Sequence, residues 1–554
     1  MFVRIKSSKN SPKKSVQIVE SIRQDSKVKQ HIVRHVGTAL NDEELDSLKR
    51  LAEHLKEQMI LDVQPSLFTP EQLAEQVVKS ALVDDKQTPI DINLRNVREE
   101  QRIITGIHEI FGSVYSTVGF DNLIPVRKPA ATKDLKHTVM ARIANPGSKR
   151  QNVSDLASKF GVEISLSSVY RMMDAIDDNV IKRINKCACA MANSLLRQNI
   201  NVAFYDCTTL YFESFEEDEE FRKNGYSKDM KFNQPQLLLA LLTTTEGLPL
   251  GYQLYPGNTF EGSTLKDAVK RLREDYSINK IIFVADSGLL SKENLSLLEK
   301  DGIEYIVGAR LKNSSDKQQE EILSESGWKE LSSSEEEKDT YKELETPEGR
   351  RLIVSHRSSR ARKDKADREK TLQKLIKKVG KSKDPASLIS NFGYKKFITI
   401  TGDAELEINE DKLAQAAKWD GIHGIMSNVK ELSATAILAQ YRSLWEIEEC
   451  FRISKHDLKF RPIFHWTKNR IKAHIAICFM SLLCVRYLQY HLKAQGYHHS
   501  VNAIVRELNS IQVSVIRDVS TNKRYAIPSS VSEMANNIYK RFGKKCNQIP
   551  YILQ

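Results

Sequence analysis

The sequence has few cysteines, no long apolar run and no nucleotide-binding loop, and each absence excludes a class of protein. Its 7 cysteines are scattered and no CxxC pair occurs, so neither a disulfide framework nor a cysteine zinc site is predicted. The longest apolar run, Ala476 to Val485, is about half the length of a membrane-spanning helix, and the polar first residues lack a signal-peptide core. No Walker A sequence is present, which excludes a P-loop phosphate cradle. We therefore expect a reduced, cytoplasmic protein with no membrane partner.

What the chain does contain is length, apolar residues and an excess of positive charge. Its 554 residues are 40% hydrophobic and 28% charged, a composition typical of folded proteins. This length allows roughly three to five domains. There are 84 Lys and Arg against 72 Asp and Glu, a net charge of +12 that favours a polyanionic partner such as nucleic acid.

The first part of the chain changes from strand-like to helical patterns. Alternating apolar residues up to Gly37 predict a small antiparallel sheet, and Asn41 caps a following helix, which together form region 1–60. Region 61–195 is predicted to be helical and to bind DNA ends. Within it, Ser154 to Phe160, Gly161 and Ser165 to Ile176 have the size of a helix-turn-helix, which either docks on DNA or is an ordinary helical hairpin.

A different order of elements begins near Asn201. Three closely spaced apolar strands are followed by helix, strand, helix and strand, at 202–206, 237–243, 248–255, 264–276, 280–286, 292–301 and 304–307. Close spacing favours hairpins, whereas a strand, helix, strand unit is a parallel crossover. The predicted fold class is α/β, with the strand order of an RNase H-like core.

Two of these strands end in an aspartate. Asp206 and Asp286 therefore lie at the carboxyl ends of buried strands, where open α/β sheets place ligands. A single aspartate at this position can equally be a helix cap or a turn former. Two neighbouring carboxylates, however, repel each other unless a hard cation such as Mg²⁺ neutralises them, and such a site needs a further acid.

A later segment supplies that acid. Ala436 to Lys455 contains no glycine or proline, and Tyr441, Glu448 and Lys455 recur every seven residues, which predicts one helix with all three on one face. Arg452 lies one turn after Glu448. Either this face is a solvated stripe, or Glu448 completes a carboxylate triad while Arg452 and Lys455 contact a phosphodiester.

The segment YRSLWEIEECFRISKHDLKFRPIFHW resembles the YREK signature of DDE transposases from bacterial insertion sequences, the cut-and-paste group that makes DNA hairpins. The blocks YDCTTLYFES, GYSKDMKFNQPQLLLALLTTTEGLPLGYQLYPGN and FVADSGLLS resemble the flanks of that family's two catalytic aspartates. The likeness runs from about Asn145 to beyond Lys472. One position departs, because the family's arginine is replaced here by Leu444, with Arg442 or Arg452 as its substitute.

The resemblance implies a DNA transposase whose catalytic residues Asp206, Asp286 and Glu448 hold two Mg²⁺ (or Mn²⁺) ions per active site. It implies DNA contacts for Tyr441, with the flanking cations Arg442, Arg452 and Lys455 beside it. The implied partners are double-stranded DNA, as terminal inverted repeats and target DNA, and a second copy in a homodimeric synaptic complex at the nucleoid. The alternatives are an RNase H-like nuclease without transposition and a non-catalytic DNA-binding protein derived from a transposase.

The resemblance also implies a β-rich insertion between the second aspartate and the glutamate. The predicted regions are then 196–310 and 425–495 for the two parts of the core, 311–424 for the insertion, and 496–554 for a helical region used in dimerisation. Arg357 to Lys383 contains 12 Lys and Arg against 3 Asp and Glu, which indicates either a solvated helix or contact with the DNA backbone. Trp419 is either a core residue or a platform for an extruded base.

Overall fold

The computed structural model describes residues 1–8, 11–24, 27–39, 41–63, 92–196, 200, 202–265, 267–268, 270, 282–289, 291–333, 338–379, 397–401 and 405–553. They fall into two units, Met1–Glu75 and Gln76–Gln554, and each is considered by itself. The helix predicted at 264–276 lies mostly outside the described residues.

The first unit is a three-stranded antiparallel sheet with one helix: β1 (Phe2–Ser8), β2 (Ser11–Gln24), β3 (Lys27–Ala39) and α1 (Asp42–Val63). The side chain of Asn41 accepts a hydrogen bond from the Glu44 N–H at 2.7 Å, the predicted N-cap. Val16, Ile18 and Ala52 are buried between sheet and helix. Helical spacing on α1 and alternation on the strands thus produce a small separate core.

The second unit begins with one strand and then helices: β4 (Val97–Ile104), α2 (Gly106–Thr117), α3 (Pro129–Ala144), α4 (Lys149–Phe160), α5 (Leu166–Asp174) and α6 (Asp178–Leu196). Gly161 ends α4 with a positive φ of 63°, a conformation that glycine adopts without strain. Val169 and Met172 of α5 are buried in the core that this unit shares with its sheet. The predicted pair of helices therefore exists, anchored by its apolar face.

The central sheet contains the predicted core strands: β5 (Val202–Tyr211), β6 (Gln236–Thr243), β7 (Pro249–Pro256), β8 (Ile282–Ala285) and β9 (Glu304–Ala309). β5, β6 and β7 are antiparallel neighbours, whereas β8 and β9 run parallel to β5 in the order β9-β8-β5-β6-β7. Helix α7 (Lys292–Lys300) connects β8 to β9. The mixed α/β class and the expected strand directions are both observed.

The insertion is rich in strands, but most of them extend the central sheet. Its elements are α8 (Asp316–Leu323), β10 (Lys329–Ser333), β11 (Lys338–Glu345), β12 (Arg351–His356), α9 (Ser358–Val379), β13 (Ile398–Thr401), β14 (Glu405–Ile408), α10 (Glu410–Ala417) and β15 (Ile422–Ser427). β15 pairs with β9, and β12, β11 and β10 follow outward, giving nine strands in all in this sheet of the described chain. The predicted boundary at 424 therefore falls inside a strand.

The predicted single helix over 436–455 is wrong. The chain forms α11 (Ala434–Arg442), α12 (Trp445–Arg452) and a π-helical turn (Ile453–Asp457). Between α11 and α12 the Leu444 N–H donates to the Tyr441 carbonyl at 3.1 Å, a tighter turn than α-helix. Leu444 lies at this break and is 7% exposed, and no glycine or proline occurs there.

The C-terminal region is not wholly helical, which corrects a second prediction. It contains α13 (Lys468–Lys493), α14 (Val501–Ser510), β16 (Gln512–Asp518), β17 (Arg524–Pro528), α15 (Glu533–Arg541) and β18 (Tyr551–Leu553). Its strands and β4 form a four-stranded sheet in the order β18-β17-β16-β4. Because β4 and β16 are about 400 residues apart in the chain, only long-range pairing turns Val97–Ile104 from a polar helix-like segment into a strand.

Helix α13 lies through the centre of the second unit. By length and apolar composition it could cross a membrane, yet 94% of its most apolar window is buried inside the protein. This burial is typical of the central helix of a folded core. It packs beside α3, α5 and the π-helical turn, so it connects the helical region to the segment that carries Glu448.

Candidate active site

Asp206 and Asp286 leave two adjacent parallel strands at the same level. Tyr205 of β5 is the register partner of Ala285 of β8, so the two aspartates occupy the next positions. The Asp206 Oδ1 accepts the Cys207 N–H at 2.7 Å, and the Asp286 Oδ1 accepts the Ser287 N–H at 2.6 Å. Each carboxylate is thereby oriented by the backbone of the following residue.

The environment of Asp206 disfavours its ionised form, mainly through burial. Burial raises the pKa of this carboxyl to about 7, and the Glu261 and Asp286 carboxylates add to the rise, while Lys228 opposes it. Asp286 is exposed at the rim of the sheet. A half-buried carboxylate with two other carboxylates nearby is an arrangement that a bound cation would stabilise.

Tyr441 connects the aspartates to the glutamate. Its Oη donates to the Asp286 Oδ1 at 3.3 Å. Burial first, and then the negative charges of Asp286, Glu448 and Asp206, raise the pKa of this phenol. The phenol is therefore close to all three predicted acids, although it comes from a separate helix.

A glycine makes room for this tyrosine. A Cβ on Gly308 of β9 would lie 2.5 Å from the Tyr441 Oη and 3.0 Å from the Ser287 nitrogen. On its other side the Tyr441 ring lies 5.3 Å from the His423 ring of β15, measured between centroids. The inserted strand β15 thus forms one wall around the predicted motif tyrosine.

Glu448 and Glu449 are adjacent but have different surroundings. Glu448 is exposed in the first turn of α12 and contributes negative charge at Tyr441. Glu449 instead accepts two hydrogen bonds from the Arg452 guanidinium, at 2.6 and 2.7 Å. The arrangement leaves Glu448 rather than Glu449 available to a ligand near the aspartates.

The predicted cations are not all on one face. Arg452 pairs with Glu449 and with Asp457, so it connects α12 to the π-helical turn. Arg442 lies at the end of α11, where partial burial and then the charge of Arg357 lower the pKa of its guanidinium. Glu448 and Arg452 remain one turn apart on α12, whereas Tyr441 belongs to α11 and Lys455 to the π-helical turn, so the seven-residue series does not lie on one continuous helix.

Lys455 is held by an acid that the sequence did not single out. Its Nζ lies 3.5 Å from Asp229, whose other oxygen is 3.3 Å from the Arg461 guanidinium. Burial lowers the pKa of the Lys455 ammonium, while Asp229 opposes that shift. Lys455 therefore belongs to a partly buried cluster of two cations and one carboxylate.

Lys228 was also missed. Its Nζ is 2.7 Å from Glu261 and donates to the Cys207 carbonyl at 2.6 Å, directly beside Asp206. Burial lowers the pKa of the Lys228 ammonium. The charges of Asp206 and Glu261 outweigh burial and raise this pKa above its usual value. In the sequence, Lys228 lies in the block from Gly225 to Gln234, which resembles the family. It is one lysine among polar residues without periodicity, so spacing does not indicate that it lies beside Asp206.

Trp419 packs in the insertion against the small core of Leu311, Ile322 and Leu352, with the Lys312 ammonium 5.7 Å from its ring. Among the described residues no group of three His, Cys, Asp or Glu side chains is close enough to hold one metal ion. The predicted metal ligands are therefore neighbours whose carboxylates are not gathered around one point.

Comparison with known proteins adds the family. The family model of the transposase DDE domain matches residues 198–484, and that of the IS1634 family transposase N-terminal domain matches residues 3–62. No curated protein sequence matches significantly.

Two solved transposase assemblies are similar at low identity. The piggyBac transposase synaptic complex with hairpin DNA is 10% identical, with a TM-score of 0.35, over 73% of this chain and 76% of that chain. The Mos1 transposase paired-end complex with the left transposon end is 13% identical, with a TM-score of 0.15, over 48% of this chain and 77% of that chain. Because the DDE-domain model alone matches more than half of the 554 residues, the chain belongs to the DDE transposases of insertion sequences and is a DNA transposase.

Proposed function

We propose that Asp206, Asp286 and Glu448 hold two divalent cations, Mg²⁺ or Mn²⁺, for cut-and-paste transposition of an element with terminal inverted repeats. DDE transposases use divalent metal ions. The observation that carries the proposal is the position of Tyr441, whose phenol bonds to Asp286 and lies in the field of all three acids.

The donor set suits such cations. Three carboxylates are hard oxygen ligands of the kind that Mg²⁺ and Mn²⁺ prefer. Both aspartates use Oδ1 for a backbone hydrogen bond, which leaves their other oxygens available. Since the acids are not gathered around one point, cation binding requires their side chains to approach one another.

The cations would supply activation of an attacking water or 3′-OH and stabilisation of the leaving oxygen. Around them the chain's own residues have separate roles. Tyr441 holds Asp286 in place through its hydrogen bond, and Lys228 balances the charge of Asp206 and Glu261. Asp229 partly neutralises the charges of Lys455 and Arg461. A DNA phosphodiester could replace the Asp229 carboxylate as the anion that these two cations bind.

Joining two element ends requires two active sites, so we propose a homodimer in a synaptic complex, with region 496–554 contributing to its interface. The substrates are then the two terminal inverted repeats and the target DNA, and the protein acts in the cytoplasm at the nucleoid. Nicking, hairpin formation, hairpin opening and strand transfer are the proposed order of steps.

The test is a strand-transfer assay with pre-cleaved element ends and a target plasmid. We expect joined products with Mg²⁺, none with EDTA, and none from Asp286→Asn, which should still bind the ends. Hydrolysis without joined products would indicate an RNase H-like nuclease. End binding with neither reaction would indicate a non-catalytic DNA-binding protein.

A further inference from the structure

A second concentration of charge, opposite in sign, lies away from the three acids. A cavity of about 280 Å³ opens between the start of α4, the segment after the π-helical turn and α13. Five of its lining side chains are Lys or Arg and two are His, and none is Asp or Glu: Arg142, Lys149, Arg150, Lys459, Arg461, His465 and His474. We call this the cationic pocket.

Its two innermost cations are almost fully buried. Arg142 is 3% exposed and Lys149 is 4% exposed. The Arg142 Nη1 donates to the carbonyls of Leu458 and Lys459, at 3.4 and 3.2 Å, but its buried Nε has no hydrogen-bond partner in the described structure. Arg461 likewise has a buried Nε without a partner. Donors of this kind are costly unless a ligand accepts from them.

The histidines that line the pocket do not balance the positive charge of its Lys and Arg side chains. The His474 Nε2 donates to the Phe460 carbonyl at 3.0 Å, which leaves Nδ1 to face the Lys149 Nζ at 3.4 Å. Burial, then Lys149 and Arg142, keep the pKa of His474 well below its usual value, so this ring is neutral. Burial and Arg142 lower the pKa of Lys149 to about 7. A bound anion would restore the full charge of that lysine.

The backbone at the start of α4 adds N–H donors that also favour an anion. Lys149 is the first residue of the twelve-residue helix α4, whose N-cap is Ser148. The first N–H groups of a helix and its dipole favour an anion at this end. Buried unpaired cations, a helix N-terminus and a cavity therefore converge on one point.

The position of the pocket indicates which anion it takes. Arg461 reaches from the pocket to Asp229, Asp229 pairs with Lys455, and Lys455 lies in the field of Lys228 beside Asp206. A row of cations thus runs from the acidic site to the pocket. A DNA strand held at the acids has its next acceptors along this row, whereas a free phosphate would need no such row.

We propose that the cationic pocket binds a phosphodiester of the bound DNA, away from the scissile one, with Arg142 and Lys149 as its innermost donors. The inference rests on the chain's function as a DNA transposase and not on its metal ligands. It gives the α4 and α5 helix pair a physical link to DNA through the N-terminus of α4, beside the catalytic segment.

The test scans DNA phosphates one at a time. An end duplex, with its sequence taken from the DNA flanking the gene, is made with single neutral methylphosphonate linkages and titrated with wild type, Lys149→Met and Lys182→Met. Lys182 is an exposed lysine of α6 and controls for the lost charge. Wild type and Lys182→Met should lose about tenfold in affinity at one particular linkage. Lys149→Met should bind unmodified DNA about tenfold more weakly and lose nothing further at that linkage.

Two further measurements separate a ligand site from a structural lysine. Without DNA, Lys149→Met should melt at the same temperature as wild type or higher, because it removes a buried charge that has no carboxylate partner. Inorganic phosphate should raise the melting temperature of wild type more than that of the variant. A large loss of stability in Lys149→Met would show a structural role and overturn the proposal.

Unchanged DNA binding with retained phosphate stabilisation would also overturn it, because the pocket would then serve a small anion. An equal sensitivity of Lys149→Met and wild type at every linkage would do the same. None of these results depends on cleavage. If Asp286→Asn remained active, the metal assignment would fail while the methylphosphonate result still stood.

Discussion

The acidic site and the cationic pocket have opposite charge but share one physical property. Each gathers side chains of one sign around a buried group: Asp206 lies near Asp286 and Glu261 with Lys228 as the neighbouring cation, and Arg142 lies near Lys149 with no carboxylate among the residues that line the pocket. By contrast, Glu446, two residues before Glu448, pairs with Arg486 at 2.6 Å, and both side chains are less than 8% exposed. Clusters of like charge thus distinguish the two proposed ligand sites from a fully paired bridge that stabilises the fold.

The largest expected effect tests the acidic site. Asp206→Asn should reduce end cleavage in Mg²⁺ by about 10³-fold or more, since several kcal/mol of transition-state stabilisation are lost. DNA affinity should stay nearly unchanged, because phosphate contacts supply most of it. Cleavage and binding are measured on the same duplex. Full cleavage by Asp206→Asn would show that the Asp206 carboxylate is not needed for catalysis and would contradict the proposed active site.

Adjacent glutamates sharpen the comparison within one helical turn. Glu448→Gln should behave like the aspartate variant, whereas Glu449→Gln removes only the pair with Arg452 and should retain most cleavage activity. Partly exposed pairs of this kind contribute at most about 1 kcal/mol to stability. The measurement is the cleavage rate of both variants. Loss of cleavage in Glu449→Gln would show that the assignment of Glu448 as the metal ligand is wrong.

The paired charges should respond in stability instead. Glu446→Gln leaves the Arg486 guanidinium buried without its carboxylate, and breaking such a pair costs about 3 to 5 kcal/mol of the free energy of unfolding. Thermal melting should therefore show a clear fall for Glu446→Gln and none for Lys149→Met. Equal falls in melting temperature for both variants would contradict the distinction between the paired buried charge of Glu446 and the buried charge of Lys149.

The pH dependence of Lys149 provides a smaller test. Its pKa is lowered from an ordinary 10.5 to about 7, so the folded state loses stability as the pH falls from about 10.5 toward 7, and the full penalty is present below 7. The groups around this lysine are Arg142, Cys478 and the neutral His474. The melting temperature of wild type relative to Lys149→Met should therefore be lower at pH 7 than at pH 9.5. A difference independent of pH would contradict the buried, unpaired state.

The smallest effect concerns Lys455, which already has a partner. Lys455→Ala should lower the slope of log affinity against log salt by about one, because one phosphate contact is lost. The titration compares wild type, Lys455→Ala and Asp229→Asn over several salt concentrations. Asp229→Asn frees the same ammonium and should bind no more weakly than wild type. An unchanged slope for Lys455→Ala would leave this lysine a purely structural residue.

Much of the acidic site could be predicted from the sequence for a local reason. Apolar strands that end in Asp206 and Asp286 are visible as short runs, and parallel pairing brings such ends to one edge of the sheet. Glu448 was found by helical spacing, although the helix that justified the spacing is broken at Leu444. The assignment did not require a continuous helix, because Tyr441 reaches Asp286 from α11 while Glu448 starts the next helix.

The remaining features depended on contacts between distant residues. Val97–Ile104 became a strand only beside β16, about 400 residues later in the chain, whereas the pairs of Arg452 with Glu449 and Asp457 are local contacts within one segment. The strand partner of Val97–Ile104 cannot be recognised from spacing along one segment. The insertion was expected from its length and strand-like runs, but its attachment to the free edge of β9 follows from pairing alone.

The sequence by itself determined the α/β class, the order of the core strands and the strand-end positions of Asp206 and Asp286, because strand burial and strand ends are encoded by neighbouring residues. Only the tertiary structure decided where the cations go. Arg142, Lys149, Arg461 and His474 come from separated segments and carry no common period, so nothing local distinguishes them from solvated basic residues. Packing of α4 against the core buried Arg142 and Lys149 together with no carboxylate among the lining residues, and that loss of hydration favours an anion in the pocket.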